Sequence, residues 1–66
     1  MRVTVNGEAL DLPPGSTVAD VVATVCPSPK GVAVALDEAV VPRSSWPDVS
    51  LDDGARLEVV TAAPGG

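Results

Sequence analysis

Apolar and polar residues alternate along the first twelve positions of the chain, with one interruption. The alternation runs through residues 1–5, and Leu10 and Leu12 resume it. Between them lies Asn6-Gly7, the pair most favoured in a tight turn whose two central residues need positive φ. A period of two predicts strands that bury one face, so residues 1–12 are predicted to form a β-hairpin.

The apolar spacing changes after residues 13–15, which are Pro-Pro-Gly. Four valines now recur at i, i+3, i+4 and i+7, namely Val18, Val21, Val22 and Val25. This period is that of an α-helix with one apolar face. Thr17 is placed to cap the first turn, and Asp20 stands where the acidic partner of a capping box belongs. We predict one main helix that starts near Val18 and ends by Cys26.

Three further strands are predicted in the second half of the chain. They are Gly31–Leu36, the short segment Val40–Val41, and Ala55–Ala62. Arg43–Leu51 is predicted to be irregular, and Trp46, the sole aromatic residue, to cover one end of the core. We expect the core to contain Val3, Val5, Val18, Val22, Val34, Leu36, Leu57 and Val59.

The predicted order is therefore β-β-α-β-β-β. A single helix packed across one face of a mixed sheet of four to five strands is a two-layer α+β solution for so short a chain. The architecture predicted is the ubiquitin-like β-grasp, with the first and last strands side by side and parallel. We expect residues 1–62 to form this domain and residues 63–66 to form a flexible C-terminal tail.

Composition excludes several classes of function. The chain has 66 residues, a net charge of −5, one cysteine and no histidine. A lone thiol excludes an internal disulfide, and without histidine we expect no metal site. The negative charge argues against nucleic acid as a partner, and no apolar run is long enough to span a membrane. We expect a small cytoplasmic domain that carries no cofactor.

The last two residues, Gly65-Gly66, are the candidate for chemistry. Glycine packs poorly, but without a Cβ the segment can thread a narrow channel in a partner protein. The α-carboxylate that we expect to be free on Gly66 is an anion at neutral pH and a nucleophile toward an activated phosphate. Pro64 precedes the pair; it lacks an N–H and fixes φ near about −65° in the segment to be threaded.

Several short motifs together resemble one family. They are Val5-Asn6-Gly7-Glu8, Ser16-Thr17-Val18-Ala19-Asp20, Gly31-Val32-Ala33-Val34-Ala35-Leu36-Asp37, Val40-Val41-Pro42-Arg43 followed by Trp46, Asp53-Gly54, and terminal Gly65-Gly66. In this order and spacing the whole chain resembles the thiamine-biosynthesis sulfur carriers, which are small ubiquitin-like proteins. It departs from the family pattern at Asp37, at Gly54-Ala55 and at Pro64.

The resemblance implies a protein co-substrate rather than an enzyme. In similar carriers, an ATP-dependent carrier adenylyltransferase adenylates the terminal carboxylate, here that of Gly66. Sulfur from a persulfide donor then replaces AMP and leaves a thiocarboxylate. Thiazole synthase is the implied recipient of the sulfur, and Pro64 and Gly65 are the residues that thread the partner's channel.

Two features of the surface remain open between a functional and a structural interpretation. Ala33, Ala35, Val41 and Val60 are expected to form an apolar docking patch on the sheet face away from the helix; the alternative is ordinary surface apolar area. Cys26 is interpreted as a small apolar residue at a helix end, because no cationic residue beside it lowers its pKa. The alternative is a sulfur relay.

Other functions fit the same tail. They include a sulfur carrier for molybdopterin or for cysteine biosynthesis, and a ubiquitin-like modifier conjugated to lysines through Gly66. A purely structural β-grasp interaction module, in which the diglycine has no role, is a further alternative.

Overall fold

The structure, a computed structural model, describes residues 1–25 and 31–61. Its elements are β1 (Arg2–Val5), β2 (Glu8–Asp11), α1 (Val18–Val25), β3 (Val32–Leu36), β4 (Ala39–Val41), a 3₁₀ helix (Arg43–Asp48) and β5 (Arg56–Thr61). The predicted element order is confirmed, while the segment predicted to be irregular contains the 3₁₀ helix. The predicted helix end at Cys26 and the predicted tail lie outside the described residues.

The five strands form one mixed sheet in the order β2-β1-β5-β3-β4. The chain's first and last strands are neighbours and run parallel, with Thr4 opposite Arg56 and Val5 opposite Leu57. All other neighbouring pairs are antiparallel. This arrangement confirms the predicted β-grasp, with β5 at the centre of the sheet.

Two tight turns join antiparallel neighbours. The predicted turn between β1 and β2 has Asn6 at φ 52° and Gly7 at φ 83°, as a type I′ turn requires. The turn between β3 and β4 has the same signs of φ at Asp37 (48°) and Glu38 (73°). Glu38 therefore holds a conformation that costs a residue with a side chain free energy.

The start of α1 is capped as predicted. Asp20 Oδ2 accepts from the Thr17 N–H at 2.9 Å, and Thr17 Oγ1 accepts from the Asp20 N–H at 3.3 Å. The segment after the 3₁₀ helix is hydrogen-bonded to this end of α1. The Val18 N–H donates to the Val49 carbonyl at 3.0 Å, and the Leu51 N–H donates to the Ser16 carbonyl at 2.9 Å. The helix is thereby fixed across one face of the sheet.

The core lies between α1 and the sheet. Its buried apolar residues are Val3, Val5, Val18, Val21, Val22, Val34, Val41, Trp46, Leu51, Ala55 and Leu57. Six of the eight residues predicted for the core are among them. The other two, Leu36 and Val59, are half-buried and pack against it. Val25, at the end of the valine stripe, is 42% exposed.

Candidate functional site

The sheet face away from α1 carries an exposed apolar patch. Ala33 faces Val60 across β3 and β5, and Ala35 faces Val40 across β3 and β4. Val40 and Val60 are the prominent members, with 79% and 59% of their surfaces exposed. We call Ala33, Ala35, Val40 and Val60 the outer patch. Side chains directly opposite on one sheet face are neighbours, so the four form a continuous surface.

The prediction that Val41 belongs to this surface is wrong. Val41 lies opposite Val34 in the register of β3 and β4, and both side chains point into the core. Successive residues of a strand point to opposite faces, so Val40 takes the outer position instead. Which of the two faces outward could not be predicted from the apolar pattern, because both residues are valine and β4 has only three residues.

A charged depression adjoins the outer patch. It has a volume of about 410 Å³ and is lined by Ala35, Asp37, Glu38, Arg56 and Glu58. One of its carboxylates makes a hydrogen bond within the domain: Asp37 Oδ1 accepts from the backbone N–H of Arg56 at 3.1 Å. The sheet face thus presents an apolar centre with a predominantly acidic margin.

Arg2 and Asp11 form an exposed ion pair on β1 and β2, away from the outer patch. The Arg2 Nε–H donates to Asp11 Oδ1 at 2.9 Å. This hydrogen bond, together with the positive charge of Arg2, lowers the pKa of Asp11 below its ordinary value. Both side chains are well exposed, so water screens the pair and its contribution to stability is small.

The residues predicted to carry the chemistry come three to five positions after Thr61, the last residue of β5. Pro64, Gly65 and Gly66 lie outside the described residues, as does Cys26. β5 is described as far as Thr61, which pairs with Val32 of β3. In sequence, the segment that contains the diglycine therefore follows the central strand, which also carries Val60 of the outer patch.

The described part of the chain bears on two other classes of site. Within residues 1–25 and 31–61, no three histidine, cysteine or acidic side chains cluster as metal ligands would. None of the helices in that part of the chain is long and apolar enough to cross a membrane.

Comparison with known proteins assigns the family. The model of the ThiS family matches residues 3–66, a span that includes Gly65 and Gly66. The chain belongs to the ThiS family. A thiamine biosynthesis protein (ThiS) from Geobacter metallireducens, solved by crystallography, has a TM-score of 0.84 over the full length of both chains at 23% identity. At that identity the likeness shows the fold.

Two further comparisons give higher identities. The solution NMR structure of a thiamine biosynthesis protein from Geobacter metallireducens is 26% identical, with a TM-score of 0.78, covering all of this chain and 88% of the other. A protein from Paramagnetospirillum magneticum named thiazole synthase is 32% identical over 66 residues. The chain spans only 20% of that relative's length.

Proposed function

We propose that this ThiS-family chain is a sulfur carrier whose reactive group is the α-carboxylate of Gly66. The observation that carries the proposal is the family match, which runs through the terminal diglycine. The fold supports it, because the diglycine segment follows the central strand β5 in sequence, and the buried apolar residues within 1–25 and 31–61 pack into one core. Residues 63–66 then act as a tail outside the domain proper.

The proposed chemistry has three steps, all of which change the terminal carboxyl group of Gly66. A carboxylate oxygen of Gly66 attacks the α-phosphorus of ATP in an adenylyltransferase and displaces pyrophosphate. The terminal sulfur of a persulfide donor attacks the resulting acyl adenylate and displaces AMP. The product is an acyl disulfide between Gly66 and the donor. A thiol then attacks the donor's sulfur atom, which forms a disulfide with the donor, breaks the sulfur–sulfur bond of the acyl disulfide and leaves a thiocarboxylate on Gly66.

The carrier's own contribution is positioning. The partner enzymes supply the base and the metal, while the carrier delivers a nucleophile in fixed geometry. Gly65 lacks a Cβ and fits a narrow channel, and Pro64 restricts the chain conformations that have to be ordered on entry. Thiazole synthase is the proposed recipient, and a relative of that name containing a segment similar to this chain supports the choice.

The outer patch is the proposed docking surface for these enzymes. It lies on the face that α1 leaves uncovered, and Val60 is the part of it closest in sequence to the tail. Apolar area with an acidic margin suits a partner surface that is apolar at its centre and basic at its rim. Docking on this face places the start of the tail against the enzyme.

Adenylation tests the function directly. With the adenylyltransferase, magnesium and ATP, the wild-type chain should support exchange of labelled pyrophosphate into ATP, whereas a chain without Gly66 should not. Val60→Asp should weaken the exchange through docking. Ala9→Asp is the matched control, because it adds the same charge on an exposed residue of β2 outside the outer patch. Exchange that persists without Gly66 would contradict the proposal.

A further inference from the structure

Asn6 makes three hydrogen bonds to β5 from a position where β1 has already ended. Its backbone N–H donates to the Leu57 carbonyl at 2.9 Å. Its side-chain Nδ2 donates to the Val59 carbonyl at 3.1 Å, and its Oδ1 accepts from the Val59 N–H at 2.8 Å. The last two bonds join residues that are 53 positions apart in the chain.

The side chain replaces main-chain groups that the hairpin has turned away. In a parallel pair of strands, a residue that donates to the carbonyl of residue j−1 accepts from the N–H of residue j+1. Asn6 donates to Leu57, so its own carbonyl would face the Val59 N–H if β1 continued. At φ 52° the backbone leaves the sheet, and the carboxamide oxygen occupies that role.

Asparagine suits this position for two separate reasons. It tolerates positive φ better than most residues with side chains. Its carboxamide also offers one acceptor and two donors, so it can satisfy both the N–H and the carbonyl of a single residue. Aspartate shares the first property but lacks the donor, and glycine has the conformation without either bond.

The Asn6 side chain stabilises the position of the C-terminal part of β5. Backbone pairing between β1 and β5 stops at Val5 and Leu57. The Asn6 side chain therefore extends the hydrogen bonding along this edge of β5 to Val59. On the opposite edge of β5, backbone pairing with β3 continues as far as Thr61. These contacts on the two edges of β5 fix its position and direction as far as Thr61, the last residue described before the diglycine segment.

We propose that Asn6 is a positioning residue for the reaction at Gly66, an inference that rests on the proposed function. A tail whose starting point is fixed loses less conformational freedom when it enters an enzyme's active site. This loss affects the bound ground state and the transition state alike, so its effect belongs in KM rather than in kcat. Asn6 thus sets how readily the carrier engages its activating enzyme.

The test compares Asn6→Gly and Asn6→Asp with Asp53→Ala. Glycine keeps the turn conformation but removes both side-chain hydrogen bonds to Val59, while aspartate keeps the acceptor for the Val59 N–H. Asp53→Ala is the matched control, because Asp53 Oδ1 accepts from the Arg2 N–H at 2.7 Å near the opposite end of the sheet. Thermal melts establish that each variant folds cooperatively.

Asn6→Gly should raise the exchange rate of the Val59 amide by about tenfold or more and leave the Thr4 amide unchanged. In the adenylation assay, the KM of Asn6→Gly should rise about three- to tenfold while its kcat stays within about twofold of wild type. The KM of Asn6→Asp should lie between those of Asn6→Gly and wild type. The KM of Asp53→Ala should equal that of wild type. Equal KM values for wild type and Asn6→Gly, or an equal rise in Asp53→Ala, would overturn the inference. A wild-type chain that is never adenylated would instead overturn the proposed function, and this role of Asn6 with it.

Discussion

The indole N–H of Trp46 donates a hydrogen bond to the carbonyl of Val41 at 3.0 Å inside the core. Val41 ends β4 and Trp46 lies in the 3₁₀ helix, so the bond fixes the 3₁₀ helix against the edge of the sheet. The guanidinium of Arg43 lies 5.6 Å from the centre of the indole ring and covers it from outside. The sole aromatic residue therefore closes the core at this edge, as the sequence predicted.

Trp46→Phe should lower the free energy of unfolding by about 1–3 kcal/mol, because it leaves the Val41 carbonyl buried without its donor. Trp46→Ala should cost more, about 3–5 kcal/mol, because it also opens a cavity. Urea denaturation measures both. No loss in Trp46→Phe would mean that the hydrogen bond contributes nothing to stability, whereas equal losses in the two variants would mean that packing of the ring contributes nothing beyond the bond.

Leu57→Ala should cost about 2–5 kcal/mol, since Leu57 is only 1% exposed at the centre of the sheet. Val60→Ala on the same strand faces the solvent and should change stability by less than about 0.5 kcal/mol. A loss below about 1 kcal/mol at Leu57 would mean that the register of β5 is shifted by one residue.

Glu38→Gly should raise the free energy of unfolding by about 0.5–1 kcal/mol, because glycine adopts φ 73° without the strain that a Cβ imposes. Glu38→Ala is the control: it removes the same carboxylate but keeps the strain. Stabilisation by both variants would assign the effect to charge repulsion with the neighbouring carboxylates instead of to the backbone.

The pKa of Asp11 should rise toward its ordinary value in Arg2→Ala, as NMR titration of the carboxyl carbon will show. The folded-state pKa is depressed by the Arg2 hydrogen bond and charge. The pair's contribution to stability is therefore present above the ordinary carboxyl pKa of about 3.9 and is lost as pH falls through the lower folded value. An unchanged pKa in the variant would contradict this cause.

Local patterns in the sequence were enough to predict the elements with a strong signal. Asn6-Gly7 predicted its turn, and Thr17 with Asp20 predicted the start of α1. Both signals act over a few residues, so no knowledge of the rest of the fold was needed. The valine stripe likewise predicted the buried face of α1 as far as Val22.

Features that depend on distant parts of the chain were not predictable in this way. The choice between Val40 and Val41 for the outer patch depends on register with β3, because two adjacent valines carry no period. The bonds from Asn6 to Val59 join segments that only the folded sheet brings together. The positions of glycine and proline in the sequence also did not indicate the 3₁₀ helix around Trp46.

The most direct test of the central claim is the mass of the chain after reaction with the adenylyltransferase, ATP, magnesium, a persulfide donor and a thiol. The account predicts a gain equal to replacing one oxygen atom by one sulfur atom, located by fragmentation at Gly66. Cys26→Ser should gain the same mass, while Gly66→Val should gain none yet stay folded. Sulfur found on Cys26, or Gly66 found in isopeptide linkage to lysines of other proteins, would contradict the account.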